Sequence, residues 1–166
     1  MPGVQEETTE RKLPDIAAFR DRVRSGKRRT NHLYAMLLGI NLLKTEELLN
    51  EVAKGFPFST IERLGGNMDI PIKDLAELAQ IGNRTLHRRK EEGRLQPDES
   101  DRLLRVSRVF AKAIELFEGD NRAAMHWLST PQRALSGVAP LMLTKTEFGA
   151  LEVERLIGRL EHGVFS

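Results

Sequence analysis

Residues 82–90 read GNRTLHRRK, placing four basic side chains and a histidine within nine positions. Such a run is either the solvated face of a helix or a surface that lies against negative charge. The residue types fit the second use: an arginine fork can grip guanine O6 and N7, and asparagine can pair with adenine N6 and N7. Little other reactive chemistry can be read. Cysteine is absent, which excludes disulfides, thiol nucleophiles and thiolate metal sites. His32, His87, His126 and His162 are scattered without ligand spacing. No nucleophile–base pair, carboxylate pair or glycine-rich phosphate loop is visible, so an enzyme is the weakest reading, and no catalytic residue, metal or cofactor is expected.

Whether the basic run faces outward depends on the elements that hold it. Pro71 suits a first helical turn, and the stretch after it sets Ile72, Leu75, Ala76 and Ala79 on one face. Gly82 interrupts, and a second helix continues until Gly93 ends it. Two short helices around a tight turn predict a helix-turn-helix, whose close crossing imposes internal checks. Ala76 supplies the small residue at the crossing, Ile81 the buried turn residue, and Leu86 the apolar contact ten positions after Ala76. Gln80 disagrees, standing where the turn usually carries glycine. Gly82 stands where serine or threonine is the commoner cap, a change that costs only a few tenths of a kcal/mol. With Leu86 inward, Asn83, Arg84, His87 and Arg88 should project from the half of the helix that touches base edges. Arg89, Lys90 and Arg94 are expected nearer the flank, on phosphates. Residues 59–119 balance at eleven basic against eleven acidic side chains, so the field should be confined to one helix face.

The rest of the chain reads as helices. Of its 166 residues, 40% are hydrophobic and 30% charged, ordinary for a globular protein, and the net charge of +2 means that any anion-binding surface is local. Residues 1–15 are polar, without helical period or an apolar leader, and no apolar run reaches membrane length; a reducing cytosol is the expected setting. Residues 16–29 turn basic, with Arg20, Arg22, Arg24, Lys27, Arg28 and Arg29 against Asp21. They could meet phosphates or an acidic partner, or form a solvated helix. The apolar patch at 33–43 suggests a buried helix or a strand-like piece. A helix from Thr45 should turn Leu48, Leu49, Val52 and Ala53 inward, and Ser59 should cap a short helix stopped by Gly65 and Gly66. A long helix over 97–119 keeps Leu103, Val106, Phe110, Ala113 and Phe117 at helical spacing, with Glu99 and Asp101 placed to pair with Arg102 and Arg105. Trp127 reads as core in a short helix over 121–131. A last helix should carry Val153, Leu156, Ile157, Leu160 and Val164 inward and Arg155, Arg159 and His162 outward, ending at Gly163. The expected class is all-α: a helical N-terminal segment, a helix-turn-helix bundle and a small C-terminal helical domain.

The stretches IGNRTLHRRKEEGRLQPDESDRLLRV and ALSGVAPLMLTKTEFGALEVERLIGRLEHGVFS strongly resemble the Xre/MbcA/ParS antitoxins. The resemblance runs from about Lys54 to Ser166, roughly two thirds of the chain. It rests on the RTLxRRK run, the ESDRLLR helix, Trp127 and Leu128 before Pro131, the GxxPL segment from Gly137 and the closing RLEHG. It implies an Xre-like helix-turn-helix over 54–118, a toxin-binding domain over 119–166, and a variable segment over 1–53. It further implies a RES-domain toxin as partner, an enzyme that degrades NAD or transfers ADP-ribose from it. Repression of the chain's own operon is also implied, with a homodimer on operator DNA and a hetero-oligomer with the toxin. The expected toxin contacts are Arg155, Arg159, His162, Gly163, Val164, Phe165 and Ser166, lying over the mouth of the toxin's nucleotide pocket. Phe165 could equally fold back on its own helix. The alternative is a free-standing regulator whose C-terminal part dimerises or senses a ligand, which would require a pocket with convergent polar groups.

Overall fold

The protein is described by a computed structural model covering residues 16–25, 33–40 and 44–163. Lys27, Arg28, Arg29, His32, Val164, Phe165 and Ser166 lie outside the described residues. The elements are α1 (Ile16–Arg24), a 3-10 turn (Leu33–Leu38), α2 (Thr45–Lys54), α3 (Ser59–Met68), α4 (Ile72–Leu78), α5 (Asn83–Glu92) and α6 (Pro97–Leu116). They are followed by α7 (Asn121–Ser129), a short 3-10 turn (Arg133–Leu135), α8 (Pro140–Leu143) and α9 (Glu147–Glu161). The fold is all-α, and among the described residues extended pairing is confined to two isolated bridges, Pro57 with Arg94 and Gln132 with Val138.

The long helix α6 is the axis of the molecule. Pro97 at its start presets the helical φ, Asp98 and Glu99 face the positive end of the dipole, and Gln96 and Glu99 close a capping box. Leu103, Val106, Val109, Phe110, Ala113 and Ile114 are buried along it. The segment 33–38, α2, α7 and α9 pack around it. The first part of the apolar patch is a short 3-10 helix over 33–38 with Ala35, Leu37 and Leu38 buried, while residues 41–43 of the patch lie outside the described residues. It is tied down by Ser107 Oγ donating to the Tyr34 carbonyl at 2.8 Å and Asn67 Nδ2 donating to that of Leu37 at 2.9 Å. Trp127 is half-buried, its ring 6.3 Å from that of Phe117.

The basic N-terminal helix has a structural part. Phe19 and Val23 enter the core, and Arg24 Nε donates to the Glu118 carbonyl at 3.3 Å. Arg20 and Arg24 press against Gly119, whose φ of 92° lets the chain turn beneath them. These cations sit where the carbonyl end of α6 is negative.

Three expectations are corrected. In α2, Leu48 is buried and Val52 half-buried, but Leu49 is 64% exposed and Ala53 is exposed, because the helix rests on α6 along a narrow strip. In α3, Ser59 is the first helical residue rather than the cap. Gly65 and Gly66 lie inside the helix, which ends at Asp69 in the left-handed region (φ 55°). Gly65 is small because a Cβ there would lie 3.3 Å from the Ile70 carbonyl oxygen, where the chain folds back. The acids of α6 also choose other partners: Asp98 pairs with Arg102 at 3.0 Å, Arg105 reaches Glu147 at 2.9 Å, and Glu99 turns inward to Arg89.

Candidate functional site

The turn between α4 and α5 is built as the spacing predicts. Ala76 and Ile81 are buried, and the Ile81 N–H donates to the Ala76 carbonyl at 2.7 Å, which closes the corner. Leu86 is half-buried against the core, its N–H bonded to the Gly82 carbonyl at 2.8 Å. Arg102 Nε, from α6, donates to the Ala79 carbonyl at 2.7 Å and buttresses the corner from below. Gln80 adopts φ 56°, the left-handed conformation for which glycine is the usual residue. Gln80→Gly is therefore expected to stabilise the chain. It removes about 1–2 kcal/mol of steric cost and returns up to about 1 kcal/mol through the looser unfolded chain. A denaturation midpoint that falls would contradict this.

Above the corner, Asn83, Arg84, His87, Arg88 and Lys90 are all exposed. Arg84 and Arg88, four residues apart, share the ridge opposite Leu86. Gly82 caps α5 in extended conformation without a side-chain bond, and a Cβ there would meet nothing within 4 Å. The negative charge that follows is partly absorbed, since Glu92 receives Arg88 at 3.8 Å and Arg89 at 3.1 Å.

Arg89 is not on this surface. It follows Leu86 by three residues and shares its inward face. Its Nε donates to Glu99 at 2.8 Å and its Nη2 at 2.9 Å, with side-chain exposures of 10% and 6%. Burial pushes the Glu99 carboxyl up. The Arg89 bonds and the Gln96 N–H donated at 2.8 Å outweigh this and hold it below the ordinary range. The pair pins α5 to the start of α6, so Arg89 positions the basic face and has no free fork for phosphate. Arg94 stays exposed on the flank, with Nη1 donating to the Gly55 carbonyl at 2.6 Å.

A second surface occupies the C-terminal helix. Val153, Leu156 and Ile157 are buried and Leu160 half-buried, while Arg155 and His162 are exposed and Arg159 half-exposed. Gly163 follows with φ 65°. Arg155 is bonded to Glu152. Sequence patterning missed the apolar side chains left outside: Phe148 is 73% exposed, Leu151 39% and Met142 47%. Their signal was the register, since Phe148 and Leu151 fall opposite the buried stripe. The helix that shows them is fixed. Thr146 Oγ1 accepts from the Gly149 N–H at 3.0 Å, and Glu147 receives Arg105 at 2.9 Å and Arg108 at 2.7 Å. Arg108 also holds Glu154. Lys145 reaches Glu77 on α4 at 3.3 Å and joins the two surfaces.

Two family models match consecutive stretches of the chain. Residues 47–108 match the model of the antitoxin Xre-like helix-turn-helix domain, and residues 112–163 that of the antitoxin Xre/MbcA/ParS C-terminal toxin-binding domain. α6 runs across the gap between them, so both units share one helix. An antitoxin Xre of Yersinia enterocolitica is 40% identical over 130 residues, spanning 78% of this chain and 88% of the relative. One of Photorhabdus laumondii is 38% identical over 120 residues, spanning 72% and 79%. One of Pseudomonas putida is 37% identical over 81 residues, about half of each chain.

Proposed function

The chain belongs to the Xre antitoxin family, and on that premise we propose that it binds and blocks a RES-domain toxin and represses its own operon on promoter DNA. In this reading it carries no catalysis of its own. The observation that carries the DNA half is the exposed row Asn83, Arg84, His87 and Arg88 above a corner locked by Ala76 and Ile81. Two copies would place two α5 helices in successive major grooves of an inverted repeat, with Lys90 on phosphate.

The toxin half is supported by the match over 112–163. Arg155 and Arg159 lie on the second half of α9, and His162 and Gly163 follow its end. The tail of Val164, Phe165 and Ser166, which lies outside the described residues, would continue from it over the toxin's nucleotide pocket. Inhibition would then be steric and electrostatic, whether the toxin hydrolyses NAD or transfers ADP-ribose.

A second reading, a ligand-sensing regulator, is favoured by one feature. An open groove of about 620 Å³ between the end of α3 and α7 gathers Asn67, Asp69, Asn121, Arg122 and His126. One experiment separates the two. The chain is co-expressed with the product of the adjacent reading frame, cellular NAD is followed, and the mass of the purified material is measured. The antitoxin reading expects a complex and preserved NAD. A neighbouring product that neither copurifies nor lowers NAD when expressed alone defeats it.

A further inference from the structure

The outward side of α9 is a continuous stripe. Phe148, Leu151, Arg155, Arg159 and His162 follow one another in steps of three or four residues, which keeps them on one face of the helix. The inner face, Gly149, Ala150, Val153, Leu156 and Ile157, is buried. At its N-terminal end the stripe is apolar. Phe148 is 73% exposed, Leu151 39%, and Met142 on the adjoining α8 47%. Apolar side chains exposed together on one helix face can serve as an interaction site, and an aromatic side chain on a fixed backbone is the usual anchor of one. The backbone here is fixed. A Cβ on Gly149 would lie 2.2 Å from the Leu143 carbonyl oxygen, so α9 sits directly on the preceding chain, and Glu147 is clamped by Arg105 and Arg108.

Gly158 supplies an independent observation. Glycine inside a helix is unfavourable relative to alanine, and a close approach of other atoms is the common compensation. Among the described residues, nothing outside its own helical turn lies within 4 Å of the place its Cβ would take, and its φ is not in the left-handed region. Among the described residues no packing contact calls for glycine there. The position is seven residues after Leu151 and three after Arg155, on the border of the stripe.

We propose that this stripe is the docking face for the toxin. Phe148 fills an apolar recess of the toxin, Leu151 and Met142 close its rim, and the toxin's main chain crosses α9 at Gly158. The inference rests on the reading that a toxin is the partner, and it gives that interface an apolar anchor ahead of the basic end at Arg159 and His162. The matched toxin-binding segment, 112–163, contains the whole stripe. A second copy of the chain fits it less well. Paired on itself about a two-fold axis over its full length, the stripe would set Arg155 against Arg155.

The test uses the full chain with the toxin from the adjacent frame, comparing Phe148→Ala and Gly158→Gln with the unsubstituted protein. Phe148→Ala should weaken toxin affinity by roughly thirtyfold or more. Gly158→Gln should weaken it by about tenfold or more while leaving the melting temperature equal or higher, since glutamine favours the helix over glycine and a Cβ there meets no described residue outside its own turn. Promoter affinity and the mass of the toxin-free chain should not change. The inference is overturned if both variants bind the toxin as the unsubstituted chain does. It is equally overturned if Phe148→Ala lowers the mass of the toxin-free protein, because a second copy then holds the patch. Failure of the unsubstituted chain to bind the toxin overturns the antitoxin reading itself, and this inference with it.

Discussion

Glu99→Ala is expected to cost the chain about 3 kcal/mol of stability, the low end of what removing one partner from a buried ion pair costs. Arg89 would keep a charge in a place where its side chain is 10% exposed, with only Glu92 at 3.1 Å left to meet it. The capping box at the start of α6 would go as well, since the Gln96 N–H donates to the same carboxylate. The double replacement Arg89→Met with Glu99→Leu should recover most of the loss, because it removes both charges and the desolvation that opposes them. Urea midpoints at neutral pH measure both. Acid adds a second readout. In the folded chain Glu99 gives up its proton at lower pH than in the unfolded chain, where the ordinary value is near 4.5. Its stabilisation is thus complete above that value and is lost as pH falls through the folded one. Glu147 is lowered in the same direction: burial opposes ionisation and the bonds from Arg108 and Arg105 outweigh it. The unsubstituted protein should therefore lose stability steeply below about pH 4.5, and Glu99→Ala should show a shallower acid limb. Equal acid limbs would mean that the pair does not tie α5 to α6 as its geometry indicates.

Periodicity made much of this legible in the sequence. The order of helices, the corner from Ala76 through Ile81 to Leu86, the stop at Gly93 and the inner stripe of α9 all follow from local spacing and backbone preference. Where the structure departs from the local pattern, register and packing outweigh residue type. Leu86 inward already requires Arg89 inward, three residues on, yet its charge placed it on the surface. Gly65 and Gly66 read as a stop, whereas Gly65 answers the approach of the Ile70 carbonyl from outside the helix. Leu49 and Phe148 are apolar residues that packing leaves uncovered. The ties from Arg105 to Glu147 and from Arg108 to Glu154 join residues about forty positions apart, and no local pattern announces them.

The double variant Arg84→Ala, Arg88→Ala should fold normally and lose its operator. Both side chains are exposed, and the contact of Arg88 with Glu92 is a 3.8 Å surface pair worth a few tenths of a kcal/mol. If each fork grips a guanine, each substitution costs about 1–3 kcal/mol of binding and relaxes the preference at one base pair. The two sit four residues apart on one ridge, so their effects need not add. Lys90→Ala should behave differently, weakening all sequences alike and lowering the salt slope by about one unit, as the loss of a phosphate contact does. Disturbing Arg89 should behave differently again, reducing the folded fraction before any contact is lost. Binding to promoter and scrambled duplexes across a salt series, with melting curves on the same samples, separates the three. A double variant that keeps both the affinity and the promoter-over-scrambled ratio would remove α5 from the groove. A ratio that collapses at unchanged melting temperature would place base reading on Arg84 and Arg88, and leave Arg89 and Glu99 the separate task of holding them there.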